Sequence, residues 1–240
     1  MTTMPSVARV KKVTGPYVPP FQNGDVMDQP TFHKLYETTP HGFHAELIGG
    51  VVHMPSPVQR RHAGPSRKVS QWLGGYSDAT EGTDAYNEIT AILALDSEPQ
   101  PDHSLIILPE AGGQTTVSPD DYLTGAPELA VEIANTSVLI DLHAKKIMYE
   151  KYGVREYIVI ECKPQLVHWF MLRGAKFAAL PPEADGIFKS RIFPGLWLDP
   201  AALFESSAKR LLAVLQSGLA TPDHAKFAAK LSAKLAKSKS

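Results

Sequence analysis

Glu132 is the most informative carboxylate in the sequence because apolar residues surround it. It lies between Val131 and Ile133 in the run 128–134, whose length and composition favour a buried strand. A carboxylate left unpaired in such a strand would cost several kcal/mol. A cation or hydrogen-bond donors must therefore compensate Glu132, unless its face of the strand is solvated. Taken alone, the residue is as compatible with a structural ion pair as with a functional site.

A second carboxylate, Asp102, stands directly before the apolar segment 104–108. It belongs to one of three Pro-Asp dipeptides in the chain, and the other two, at 119–120 and 222–223, lie where helices are predicted to begin. Aspartate is an ordinary residue at a helix N-terminus. Only Asp102 precedes a predicted strand, so we treat it as the partner of Glu132 in a candidate site.

A cationic side chain is available on the helix predicted at 141–152. Asp141, Lys145 and Tyr149 recur at intervals of four and therefore share one helical face. This face could bring an ammonium group to the carboxylates. It could equally form a surface ion pair worth about a few tenths of a kcal/mol, and the neighbouring Lys146 leaves the choice of lysine open.

The elements that must position these side chains form one mixed sheet flanked by helices. Strands outnumber helices in the middle of the chain, which indicates an α+β class with α/β-like features. The sequence predicts helices at 31–36, 59–73 and 141–152, and further helices after Asp199 and Pro222. In the helix at 59–73, Gly64-Pro65 must delay the start or cause a kink. The predicted strands are 88–95, 104–108 and 128–134, with hairpins around Gly49-Gly50 and at 157–172.

We divide the chain into three segments. Residues 1–26 are rich in proline and predict an extended N-terminal segment, residues 27–200 form the main domain, and residues 201–240 form a helical appendage. The appendage contains seven Lys or Arg and two Asp or Glu, a local charge of +5. Because the whole chain carries −1, its first 200 residues carry −6, and binding of a polyanion must depend on local patches.

Composition and absent motifs exclude several classes of protein. Cys162 is the single cysteine among 240 residues, which excludes a disulfide framework and a cysteine-rich zinc module. The sequence has no nucleophile elbow, P-loop, dinucleotide-binding glycine motif or zinc-protease motif. No apolar run approaches the roughly 18 residues of a membrane span and no signal peptide is evident, so we expect a cytoplasmic protein with no membrane partner.

Five segments in order resemble a known family. They are ELIGGVVHMPSP followed by His62, then Pro101-Asp102, GAPELAVEIANTS, DLHAKKIMYEKYG and VREYIVIE. This pattern resembles the Uma-two family of restriction-endonuclease-like proteins, within the PD-(D/E)XK nuclease superfamily, over about residues 28–200. The resemblance implies a restriction-endonuclease-like core and a metal-dependent endonuclease that hydrolyses phosphodiester bonds.

The resemblance also implies roles for the acidic residues. Asp102 and Glu132 fall on the two acidic positions of the superfamily motif, and with the backbone carbonyl of Ile133 they would hold Mg²⁺, for which Mn²⁺ is a substitute. Glu46 matches the glutamate of the N-terminal hairpin and would complete the acidic cluster.

One position departs from the superfamily pattern. The motif lysine is replaced by Ala134, and Lys145 on the following helix takes its place in the resemblance, where it would orient water or stabilise charge on the phosphate. Gly49 replaces the usual aspartate of the hairpin. The pair Glu156-Tyr157 matches the family without an assigned role.

The implied substrate is nucleic acid, with DNA as the expected form and a homodimer as a further expectation. Four basic residues at the head of the second predicted helix are candidate phosphate contacts: Arg60, Arg61, Arg67 and Lys68. Two other hypotheses stay open. A non-catalytic module could bind nucleic acid or protein on the same fold, or a structural domain could carry solvated acidic residues.

Overall fold

The computed structural model describes residues 17–238. The strands are β1 Glu46–Ile48, β2 Val51–His53, β3 Thr83–Asn87, β4 Ala91–Ile92, β5 His103–Ile107, β6 Thr116–Val117, β7 Leu123–Thr124, β8 Leu129–Ala134, β9 Glu156–Glu161, β10 Leu166–Arg173, β11 Lys176–Ala179, β12 Phe188–Lys189 and β13 Trp197–Leu198. The helices are α1 Gln29–Tyr36, α2 Arg60–Asp78, α3 Lys146–Tyr152, α4 Lys209–Leu219 and α5 Pro222–Ser238, with a π-helical segment at Ile140–Lys145 and 3₁₀ turns at Pro109–Ala111 and Ala201–Leu203.

A six-stranded sheet forms the centre of the molecule, in the order β11-β10-β9-β8-β5-β3. β8 and β9 are parallel, whereas the other neighbouring pairs are antiparallel. A parallel pair needs a crossover, and the π-helical segment with α3 supplies it. The predicted α+β class, with a mixed central sheet flanked by helices, is confirmed.

The two faces of β8 belong to different cores. Leu129, Val131 and Ile133 join the main core, which α2, α4 and α5 cover. Ala130 and Ala134 face the second core, to which α3 contributes. Because side chains alternate along a strand, Glu132 lies on the second face and is directed toward the helical crossover.

The two C-terminal helices share the main core with the sheet. Leu211 and Leu215 of α4 and Leu231 and Leu235 of α5 are buried in the same cluster as Trp72 of α2. The boundary that the sequence placed at residue 200 therefore does not separate two cores. Charge along the helices suggested an appendage, but their apolar stripes pack into the main core, α4 against α2 and α5 against the 3₁₀ turn at Pro109–Ala111.

The N-terminal segment is also more packed than expected. Residues 1–16 of the predicted extended segment lie outside the described residues. Within residues 17–26, Phe21 is buried against Phe32 and Leu47. The proline-rich segment thus contributes the Phe21 side chain to a small core that is separate from the main core.

The predicted strand 88–95 is wrong. The structure has β3 before it and only the two-residue β4 within it, because Glu88 adopts φ +51, a left-handed conformation that ends β3.

The predicted helix 59–73 begins at Arg60 despite Pro65 and continues to Asp78. At Gly75 of this helix, Leu215 of α4 packs so closely that a Cβ on the glycine would lie 3.3 Å from the leucine side chain.

Within residues 17–238 no helix is long and apolar enough to cross a membrane.

Candidate active site

Four predicted site residues from different elements line one cleft of about 500 Å³. Glu46 lies on β1, Asp102 precedes β5, Glu132 lies on β8 and Lys145 ends the π-helical segment. The cleft lies at the end of β8, because Ile133 and residues 135–137 line it. The structure therefore brings together residues that the sequence separates by up to 99 positions.

Lys145 is the cation that compensates Glu132. Its Nζ lies 3.0 Å from Oε1 of Glu132 and 2.8 Å from Oε2 of Glu46, and the Tyr149 hydroxyl donates to the same Oε1 at 3.0 Å. Burial would lower the pKa of Lys145, but the carboxylates of Glu132 and Glu46 outweigh it and hold that pKa well above the usual range. The ammonium group therefore stays charged inside the protein.

Asp102 is held by two donors. Its Oδ2 accepts the backbone N–H of Ile133 at 2.6 Å, and Nε2 of His62 lies 3.1 Å from Oδ1. Burial would raise the pKa of Asp102, but the His62 imidazole outweighs it and lowers that pKa. Because the N–H and C=O of one strand residue point the same way, the Ile133 carbonyl lies on the Asp102 side of β8.

Asp141 adds a further buried carboxylate. It is 2 % exposed, and Ser137 Oγ donates to it at 2.5 Å. Burial raises the pKa of Asp141 to about 6. The Tyr157 hydroxyl donates to the Asp141 carbonyl at 2.9 Å, which anchors the first turn of the π-helical segment to β9.

Comparisons with known proteins show the family and the fold of the chain. A family model, Uma2, described as "Putative restriction endonuclease", matches residues 29–201, more than half of the chain. The chain belongs to the Uma2 family. A solved structure described as a putative nuclease belonging to DUF820, from Anabaena variabilis ATCC 29413, is 15% identical, with a TM-score of 0.51 over 76% of this chain and 97% of that chain. That likeness shows the restriction-endonuclease-like fold, and no curated protein matches.

Two of the Uma2 family positions are structural in this chain. The Glu156 carboxylate is fully buried and accepts Ser190 Oγ and the Arg191 N–H, both at 2.7 Å. It therefore fixes the loop that leads to β13. Tyr157 supports the site through the backbone of Asp141 and through its ring, whose centre lies 5.0 Å from that of Tyr149.

Lys68 is not available to nucleic acid. It is 4 % exposed, and its Nζ donates to the backbone carbonyls of Leu203, at 2.6 Å, and Glu205. Helical periodicity could not reveal the burial of Lys68, because the carbonyls belong to a segment that follows Lys68 by 134 or more positions in the chain. The prediction of a phosphate contact at Lys68 is thus wrong.

The other three basic residues of α2 are exposed. Arg67 donates to Gln71 at 3.0 Å, one turn further along the helix. Arg60 and Arg61 lie between Gln59 and His62, which both line the cleft. Arg60 and Arg61 are therefore next to the cleft in the chain without lining it, and Arg67 lies about two turns further along the helix.

Sequence reasoning left three participants without a role. His62 was part of the family resemblance only, and its Nδ1 is buried without a partner among the described residues. Tyr149 was placed on the Lys145 face and in fact binds Glu132. The Gln100 N–H donates to Glu46 at 2.7 Å, a backbone contact that no sequence signal indicates.

The donor set suits Mg²⁺. Within residues 17–238 no three His, Cys, Asp or Glu side chains form a ready ligand cluster, and among the carboxylates that line the cleft, Asp102 and Glu132 are the two that the family resemblance assigns to a metal ion. Mg²⁺ commonly takes one or two carboxylates and keeps water or phosphate for its other positions. The residues present therefore fit this ion, and they do not fit a cation that needs a complete protein cage.

Proposed function

We propose that this Uma2 chain is a Mg²⁺-dependent endonuclease that hydrolyses phosphodiester bonds, with DNA as its substrate. One observation carries the proposal. Among the described residues that line the cleft, five are carboxylates, three are histidines and one is a lysine: Glu46, Glu88, Asp102, Glu132, Asp141, His44, His53, His62 and Lys145. Such a cleft repels a phosphate diester unless divalent cations neutralise it.

Asp102, Glu132 and the Ile133 carbonyl would hold the ion. When bound, Mg²⁺ would supply polarisation of the scissile phosphate and a water of lowered pKa. Asp102 presents a fixed carboxylate, because His62 and the Ile133 N–H restrain both of its oxygens. A fixed ligand costs little reorganisation when the substrate arrives.

Lys145 would stabilise the negative charge that grows on the phosphoryl oxygens. Its position between Glu46 and Glu132 keeps it protonated and aimed at the cleft floor. Tyr149 holds the Glu132 carboxylate from the helix side, so this carboxylate need not rotate when Lys145 shifts toward a phosphate.

Cleavage assays test the proposal directly. Plasmid and oligonucleotide substrates are incubated with the pure chain in Mg²⁺, in Mn²⁺ and in EDTA. We expect cleavage only with the divalent ion, and none from Asp102→Asn, which loses an anionic ligand. Asp120→Asn is the matched control, since Asp120 also follows a proline but is exposed and outside the cleft.

Cleavage that persists in EDTA or in Asp102→Asn would contradict the metal mechanism. Binding of nucleic acid without any cleavage would instead support a non-catalytic binding module. Retention of a buried lysine among carboxylates favours the enzyme over that alternative, because such a charged cluster lowers stability unless it serves a site.

A further inference from the structure

The groups assigned to chemistry lie at the bottom of the cleft. Glu132 is 3 % exposed, Lys145 5 % and Glu46 8 %. The cleft volume of about 500 Å³ falls within the roughly 300–1,000 Å³ of small-ligand sites. This space suits one or two nucleotides, whereas the stacked rod of an intact duplex would stop at the lip.

Two segments form the walls of the cleft and limit its widening. The segment 54–59 joins β2 to α2, and the segment 135–141 follows β8. Pro55 and Pro57 fix two φ angles of the first wall. The second wall is anchored to β9 by the Tyr157 hydroxyl, which donates to the Asp141 carbonyl at 2.9 Å.

The lip carries exposed apolar side chains. Val58 and Ile140 both line the cleft and are 68 % and 36 % exposed, and the adjacent Leu139 is 75 % exposed. Phe43 lines the same cleft from a third segment. Apolar and aromatic groups of this kind pack on the faces of unstacked bases, and a duplex keeps those faces covered.

Cations are few around the cleft. Among the described lining residues Lys145 is the one lysine, three residues are histidines, and arginine is absent. Arg60 and Arg61, which are exposed and next to the cleft in the chain, could contact one or two phosphates. A protein that binds a duplex mainly through the sugar-phosphate backbone often neutralises about six to ten phosphates. Contacts to bases must therefore supply more of the binding energy here.

We infer that this cleft admits nucleic acid as a single strand, with bases packed on Val58 and Ile140 while one phosphate reaches the cleft floor. The inference rests on the proposed function for the identity of the ligand as nucleic acid. It adds the strand form of the substrate and the residues that select it.

Fluorescence anisotropy tests the inference without cleavage. A labelled single strand of about 12 nucleotides is compared with a hairpin duplex of the same sequence, both in Ca²⁺, with intact oligonucleotides verified on a gel. We expect the single strand to bind at least about tenfold more tightly. The double variant Val58→Asp, Ile140→Asp should remove most of this preference.

Val117→Asp is the matched control, because Val117 is 53 % exposed and lies outside the cleft lining. Duplex binding that equals or exceeds single-strand binding would overturn the inference, as would binding of neither form or a double variant that keeps the preference. Cleavage is scored separately. A single-strand preference without cleavage contradicts only the proposed function, and equal cleavage of both forms contradicts only the strand inference.

Discussion

The ammonium group of Lys145 lies 3.0 Å from the Glu132 carboxylate, although the two residues are 13 positions apart in the chain. In the superfamily pattern that the sequence resembles, the lysine stands two residues after the acidic residue, and here Ala134 occupies that place. Ala134 and Glu132 share one face of β8, and the crossover helix covers that face. The helix therefore delivers the charge to the region that a lysine at position 134 would reach.

Replacing Lys145 by methionine should lower the cleavage rate by roughly two or more orders of magnitude, since one preorganised electrostatic contact to the transition state is lost. Lys146→Met should cost far less, because the Lys146 Nζ lies 3.8 Å from the centre of the Phe170 ring, away from the carboxylates. Single-turnover rates in Mg²⁺ measure both effects.

Circular dichroism of each variant provides the necessary control, because Lys145→Met leaves Glu132 buried without its cation. Rates are compared at a temperature where both variants are folded. Equal rates for the parent and Lys145→Met would remove Lys145 from the mechanism, and a loss confined to Lys146→Met would assign the role to its neighbour.

Lys68→Met should destabilise the chain by about 1–3 kcal/mol, because the carbonyls of Leu203 and Glu205 lose a buried donor. Urea denaturation measures this loss, and Arg67→Met, at an exposed neighbouring position, is the control with little effect. The salt dependence of nucleic-acid binding should not change in Lys68→Met. A reduced salt slope would restore Lys68 as a phosphate contact.

Leu231→Ala in α5 should cost about 2–5 kcal/mol, the usual loss for a buried leucine, because this side chain belongs to the main core. Lys230→Ala, one position earlier and exposed, should leave the urea midpoint almost unchanged. If the two variants unfold alike, α5 is an appendage and not part of the core.

His103 should contribute a loss of stability as the pH decreases from about 6.5 toward 4. Burial lowers the pKa of this histidine from 6.5 to about 4, so the neutral ring is favoured in the folded state. Its contribution is complete above the unfolded pKa and is lost on acidification, by up to about 3 kcal/mol. The comparison is made by urea denaturation at pH 7 and pH 4.5.

His103→Gln removes this titration and isolates it from the other acidic groups. Its unfolding free energy should decrease less between the two pH values than that of the parent chain. If both chains lose the same amount, His103 titrates in the folded state as it does in water. The hydrogen bonds to Ser66 and Asn87 would then not exclude the charged ring.

Local sequence was sufficient to predict the core strands and to predict that Glu132 requires a cation or hydrogen-bond donors. The apolar run around Glu132 and the segment after Asp102 have few alternatives to a buried strand, because burial of contiguous apolar side chains dominates their energy. The same patterns predicted α1, the crossover helix and the hairpin of β9 and β10. Local pattern failed at 88–95, where the left-handed Glu88 ends a strand among residues that favour one.

Only the tertiary structure decided which groups meet these carboxylates. Lys145, Tyr149 and the Gln100 N–H reach the acidic residues through a parallel crossover and a loop, and His62 reaches Asp102 from α2. In the sequence, Lys68 is indistinguishable from other basic residues of an amphipathic helix. Its burial results from the packing of residues 202–205 against it. Partner choice of this kind depends on contacts between distant segments, and no local pattern encodes them because their energy exists only once the sheet and helices have packed.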